Sequence, residues 1–134
     1  MKIVCSDAKP VSPEIVENLK SHISKFKLPQ TFVNFMAFNN TGCPLKDCII
    51  INGEEHYIAY FMSFDKDDVY YYYNLLDSFL NNSDGKMIPF AVNCSSDYYC
   101  LNLENNGVYF WPHESEEDEF IPLNITFDEL VDLF

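Results

Sequence analysis

Arginine is absent from this 134-residue chain, and its eight basic residues are all lysine. The sequence therefore lacks the planar fork that grips phosphate or carboxylate through two parallel hydrogen bonds. Glycine is nearly as scarce: Gly42, Gly53, Gly85 and Gly107 stand far apart. Dinucleotide and Walker phosphate loops need clustered glycines to bring backbone N–H groups onto phosphate, so both are excluded. Long apolar runs are missing too. The longest lie around Tyr57–Met62 and Val69–Tyr73, well short of the ~20 residues that cross a bilayer as a helix. Met1–Asp7 carries one lysine and no apolar stretch of signal-peptide length. The cysteines Cys5, Cys43, Cys48, Cys94 and Cys100 are odd in number and irregularly spaced. The expectation is a reducing cytoplasm, with the thiols as small buried hydrophobes.

What the chain does have is core material. Hydrophobic residues make up 48%, and 12 Phe, 9 Tyr and one Trp bring aromatics to 16%. That composition and length predict a single domain over residues 1–134 with one proper core. Charge is distributed unevenly. Residues 1–46 hold three acids and six lysines, net +3, whereas residues 47–134 hold eighteen acids and only Lys66 and Lys86, net −16. The total of −13 disfavours nucleic acid as a partner, because phosphate affinity rests on Lys and Arg neutralising charge. It favours attraction to basic proteins, although solubility alone would account for the same balance.

Periodicity predicts the elements. Ser12-Pro13 reads as a helix start, and Val16, Leu19, Ile23 and Phe26 form an apolar stripe of a helix over about 13–26. A shorter helix follows Leu28-Pro29 and ends near Asn39-Asn40. Cys48–Ile51, the Asn52-Gly53 turn and the β-rich run His56–Phe64 predict a hairpin. Val69, Tyr72, Tyr73, Leu76, Phe79 and Leu80 predict an amphipathic helix over about 66–81, with Asp65, Asp67 and Asp68 at its positive end. Met87–Asn93, Tyr98–Leu103 and Val108–Trp111 read as a meander, and Phe120–Ile125 as a further strand. Thr126-Phe127-Asp128-Glu129 is a capping box opening the last helix. Strands grouped in this way predict an α+β fold: one mostly antiparallel sheet of about five or six strands with helices packed on it.

Chemistry finds little support. Asp65-x-Asp67 starts like a calcium loop, but Tyr70 stands where the required glycine belongs and Leu76 where the bidentate acid belongs. His113-Glu114 starts like a zinc-protease motif, yet the second histidine position is Glu117. Cys43-x4-Cys48 and Cys94-x5-Cys100 are spaced more widely than a zinc knuckle, and the second pair reads as lying on adjoining strands. His22 and His56 read as packing or surface residues. Neither catalysis nor a cofactor or metal is expected. The segment from Trp111 to Glu119 differs in kind, joining a tryptophan and a histidine to five acids. It reads either as a solvated acidic loop or as a contact site with an aromatic anchor.

Several strings, taken in order, resemble the SUKH superfamily in its cell-wall-assembly-regulator (Smi/Knr) branch. They are Leu28-Pro29, the Phe35–Gly42 string followed by Pro44, Ile88-Pro89-Phe90-Ala91, Asp97–Leu103, Val108–Trp111 with His113-Glu114, and the closing stretch Phe127–Phe134. Two departures stand out: Thr41-Gly42 replaces a pair of glycines, and Ser95-Ser96 occupies a place where glycine is usual. The resemblance implies a SUKH-like fold and a protein-binding role. Bacterial members are mostly immunity proteins that bind and block a cognate polymorphic or contact-dependent toxin by occlusion. Relatives in eukaryotes regulate wall assembly and signalling, usually with added disordered arms, so a bare domain points to the bacterial role. The partner expected is a protein toxin with a basic surface, such as a nuclease, with no nucleic acid or membrane bound directly. Asp97, Trp111, His113, Glu114, Glu116, Glu117, Asp118 and Glu119 are the expected partner-binding residues. The rival readings are a regulatory protein-interaction domain and a cryptic hydrolase using the acids.

Overall fold

In a computed structural model describing residues 2–112 and 119–134, the strands fall into two antiparallel sheets. The smaller is a hairpin of β1 (Cys48–Ile51) and β2 (Glu54–Tyr57). Its turn is the expected one: Asn52 and Gly53 adopt φ of 50° and 85°, left-handed values that Asn and Gly tolerate best. The larger sheet runs β3 (Tyr60–Phe61), β4 (Met87–Val92), β5 (Tyr98–Asn102), β6 (Gly107–Trp111) and β7 (Ile121–Thr126), each strand antiparallel to the next. Pro89 sits in the wholly buried β4 because the register shifts between Pro89 and Ala91, a bulge that tolerates a residue without an N–H. The fold is α+β, as the grouping of strands implies.

Side chains alternate across the large sheet and so feed two unequal cores. One face takes α1 (Pro13–Glu17), α2 (Gln30–Phe38) and α4 (Phe127–Val131) together with the hairpin. Phe127 is its hub, with its ring 5.2 Å from Phe32, 5.5 Å from Phe35 and 5.2 Å from Phe90. The hairpin is fastened by His56, whose Nδ1 lies 3.0 Å from the Tyr99 hydroxyl, and by Asn52, whose amide donates to the carbonyls of Leu123 and Asn124 on β7. That second contact also occupies part of an otherwise open sheet edge. The opposite face is covered by α3 (Leu76–Asn81), whose Phe79 joins Met87 and Cys100 in a small separate cluster.

Asn39 and Asn40, expected only to end a helix, are 0% and 1% exposed. The Asn39 side chain accepts from Val4 N at 2.8 Å and donates to the carbonyls of Lys2 and Phe35. Asn40 donates to the Lys9 carbonyl and accepts from Phe64 N at 2.8 Å. Two adjacent amides thus tie the N-terminal segment, α2 and the chain beyond β3 into one knot. Gly42 follows because a Cβ there would fall 2.6 Å from the Cys5 Cβ, closer than any side chain packs.

Three expectations need correction. The first helix is α-helical only to Glu17 and continues as a 3-10 turn over Asn18–Ser21. The Ser21 hydroxyl donates to the Asn18 carbonyl, competing with the helical ladder, and Ser12 occupies the N-cap position with no side-chain bond to the helix backbone. The run His56–Phe64 is not one strand. It passes from the hairpin to the large sheet between Tyr57 and Tyr60. The helix over 66–81 shrinks to a 3-10 turn at Tyr72–Asn74 followed by α3. Tyr72 N instead reaches the Ser63 carbonyl at 2.7 Å, and the aspartates serve turns: Asp65 accepts from Asp67 N and Asp68 from Tyr70 N. Tertiary pairing outweighs the helical period there.

Candidate binding surface

The strand register gathers Asp97, Tyr98 and Trp111 at one end of the large sheet. Tyr60 opens β3 opposite Val92, Val92 closes β4 opposite Tyr98, and Tyr98 opens β5 opposite Trp111. These four residues form a row across the sheet, pointing to the face that α3 covers. The row is largely aromatic and only partly covered. Tyr60 is exposed and stacks on Tyr70 at 5.5 Å, while Tyr98 and Trp111 are half-buried. Burial, and then the neighbouring Tyr70 hydroxyl, raises the pKa of Tyr98, so its hydroxyl is uncharged at physiological pH.

Trp111 is held from two sides. Phe79 meets it edge-on at 4.5 Å and Phe120 stacks on it at 4.9 Å. Its indole Nε1 is buried with no hydrogen-bond partner among the described residues. Much of this ring therefore supports the small cluster behind the surface. Asp97 belongs to the β4–β5 turn: Asn93 donates from its side chain to the Asp97 carboxylate at 3.2 Å, and the Asn93 side-chain oxygen accepts from Asp97 N at 2.9 Å. Ser96 in this turn has φ 64°, and Thr41 in the other departing turn has φ 57°. Both places where glycine was expected are thus left-handed, now occupied by residues that resist it. The Thr41 hydroxyl offsets part of that cost by donating to Asp68 at 2.8 Å.

Glu119 is exposed just before β7. His113, Glu114, Glu116, Glu117 and Asp118 lie outside the described residues. Sequence reasoning missed the contribution of Tyr60 and Tyr70, since both fell inside runs read as regular strand and helix. Tyr57, also exposed, has its hydroxyl bonded to Glu55 at 3.0 Å, and that carboxylate pushes its pKa up to about 12.

The charged and thiol groups show where chemistry does not gather. Among the described residues, lysine–carboxylate ion pairs form between Lys25 and Asp84 and between Lys86 and Glu104. Eight lysines leave the acidic excess of the second half largely uncompensated. All five cysteines are free: Cys5 and Cys100 are buried, Cys43 and Cys48 half-buried, and Cys94 exposed in the β4–β5 turn rather than on a strand. Burial holds Cys5 at about 12 and Cys100 well above the usual thiol range, so neither supplies a thiolate nucleophile at neutral pH. Among the described residues no group of three His, Cys, Asp or Glu side chains is placed to hold a metal ion, and no helix is long and apolar enough to cross a membrane.

Residues 10–133 match the SMI1 / KNR4 family (SUKH-1). The chain belongs to this family. Comparison with curated proteins gives no match. Membership in SUKH-1 accounts for the element order and fits two kinds of role, immunity protein and Smi1/Knr4-type regulator, both of which work through protein–protein interaction. The strings that carried the resemblance are mainly structural: the Asn39-Asn40 knot, the bulged β4, and the row on β5 and β6.

Proposed function

We propose that this SUKH-1 domain is an immunity protein, binding a cognate toxin and blocking it by occlusion, with no bond made or broken by the domain itself. The observation that carries the reading is the aromatic row Tyr60–Tyr98–Trp111, at the sheet end from which the acidic stretch 113–119 departs. Aromatic side chains give buried contact area at small entropic cost, and flanking carboxylates steer a basic partner toward it. A toxin whose own substrate groove is basic, as in a nuclease, is the natural complement to a chain of net charge −13. The five free thiols support action in a reducing compartment such as the cytoplasm.

The decisive experiment is co-expression with the product of the adjacent gene, followed by co-purification and rescue of toxin-inhibited growth. Association should then be followed by stopped flow for the unaltered chain and for Glu116→Lys/Glu117→Lys/Glu119→Lys. Steering predicts a rate at low salt at least tenfold lower in the variant, within the ~10–1,000-fold range of such effects, and a flatter salt dependence. Equal rates at every ionic strength would remove the acidic stretch from the interface. A wall-synthesis or signalling protein as the adjacent product, with no toxicity to relieve, would favour the regulatory role instead.

A further inference from the structure

A large concavity lies at the other end of the sheet. It is an open trough of about 770 Å³ between the segment after α1 and the β5–β6 turn, floored by Ile23, Phe26, Leu28 and Leu103. Leu103 follows β5 directly, so the trough lies roughly 17 Å from Tyr98, five residues away at ~3.4 Å each. Its character is opposite to that of the aromatic row. Lys20 and Lys27 stand on its wall, both exposed and without an ion-pair partner among the described residues, and no acid lines it. Nearby charges cancel in the pairs Lys25–Asp84 and Lys86–Glu104. Pro29 and Gln30 at the start of α2 form another part of the wall, and no side chain caps that nine-residue helix. Its first N–H groups add a fixed positive partial charge. Local charge is therefore positive in a strongly negative molecule, over an apolar floor. That combination is poorly explained by solubility.

We propose that this trough docks an acidic peptide segment of a partner protein, one or two large apolar side chains entering the floor while carboxylates meet Lys20, Lys27 and the start of α2. The proposal is independent of the toxin-blocking role. Overall charge repels such a segment from most of the surface, so the trough selects it by local complementarity.

The test titrates isotope-labelled full-length protein with a blocked octapeptide carrying four glutamates around a Leu-Phe pair, read by amide chemical shifts. Two control peptides replace Leu-Phe by Ser-Ser or every Glu by Lys, and laurate serves as a small amphipathic anion. The first peptide should shift the amides of residues 23–30 and 103–106. Lys20→Glu/Lys27→Glu, at exposed positions that leave the fold intact, should weaken it by about tenfold, two rim attractions having become repulsions. Phe26→Ala should weaken it with the charges untouched. Absence of shifts at millimolar peptide, equal binding of the Ser-Ser control, indifference to the lysine reversal, or displacement by laurate at lower concentration would each overturn the proposal.

Discussion

Replacing Asn39 by alanine should be among the most damaging single changes in this chain. The side chain makes three hydrogen bonds at 0% exposure: it accepts from Val4 N and donates to the carbonyls of Lys2 and Phe35. The Phe35 carbonyl keeps a second partner, the Asn39 backbone N–H at 3.0 Å, and the Lys2 carbonyl is near solvent. Val4 N–H is left buried with nothing to pair. Taking about 1 kcal/mol for each of the two bonds to carbonyls and ~1–3 kcal/mol for the orphaned Val4 donor, the total is roughly 3–5 kcal/mol. That is a large part of the ~5–15 kcal/mol by which a domain is stable. Asn39→Asp keeps the acceptor for Val4 but sets a buried carboxylate against two carbonyls, so its loss should be at least as great. Urea unfolding is the assay: at an m value of ~1–3 kcal/mol/M the midpoint should fall by more than 1 M with the slope unchanged. Asn34→Ala, which removes only an exposed bond from Gln30, is the control and should stay within about 0.5 kcal/mol. If Asn39→Ala cost no more than the control, the buried-amide account of the Asn39-Asn40 knot would be wrong.

The two left-handed turns should separate on mutation. Ser96→Gly should stabilise by about 0.5–1 kcal/mol through relief of φ 64°, whereas Thr41→Gly gives the same relief but forfeits the bond to Asp68 and should end near zero or below. Thermal melts giving equal gains would show that bond to be worthless. Tyr72→Phe should raise stability by about 1 kcal/mol, because the hydroxyl is fully buried without a hydrogen-bond partner among the described residues while the ring's stacking on Phe64 at 4.8 Å is kept; a loss on denaturation would reveal a partner for the hydroxyl. Burial lowers the pKa of His56 below its usual 6.5, outweighing the opposing pull of Glu54. The unfolded chain then binds the proton first, so this contribution is complete above pH 6.5 and declines as pH falls through the lower folded value. Melting temperature plotted against pH should lose that acid-side decline in His56→Gln, and an unchanged profile would assign the decline elsewhere.

Local chemistry explains which elements could be read from the chain alone. The Asn52-Gly53 turn and the capping box, in which the Thr126 hydroxyl accepts from Glu129 N while the Glu129 carboxylate accepts from Thr126 N, need only neighbours in sequence. The meander is comparably local, since its strands follow one another across short turns. Trp111 was legible as a site candidate from the acidic segment that follows it and Asp97 through family resemblance, and register brings Trp111 opposite Tyr98, the residue after Asp97.

Long-range pairing decided the rest. Nothing near Val69–Leu80 in sequence announces that Ser63 will capture Tyr72 N, yet that bond shortens the helix and frees Tyr70 to stack on Tyr60. Nothing beside Asn39 announces a donor at Val4, thirty-five residues away. The charge asymmetry, +3 before residue 47 and −16 after it, was visible at once. Its division into an aromatic row at one end of the sheet and a lysine-walled trough at the other had to await the fold, because proximity between distant segments is set by how strands pair and cores close, and periodicity encodes only which side of an element is apolar.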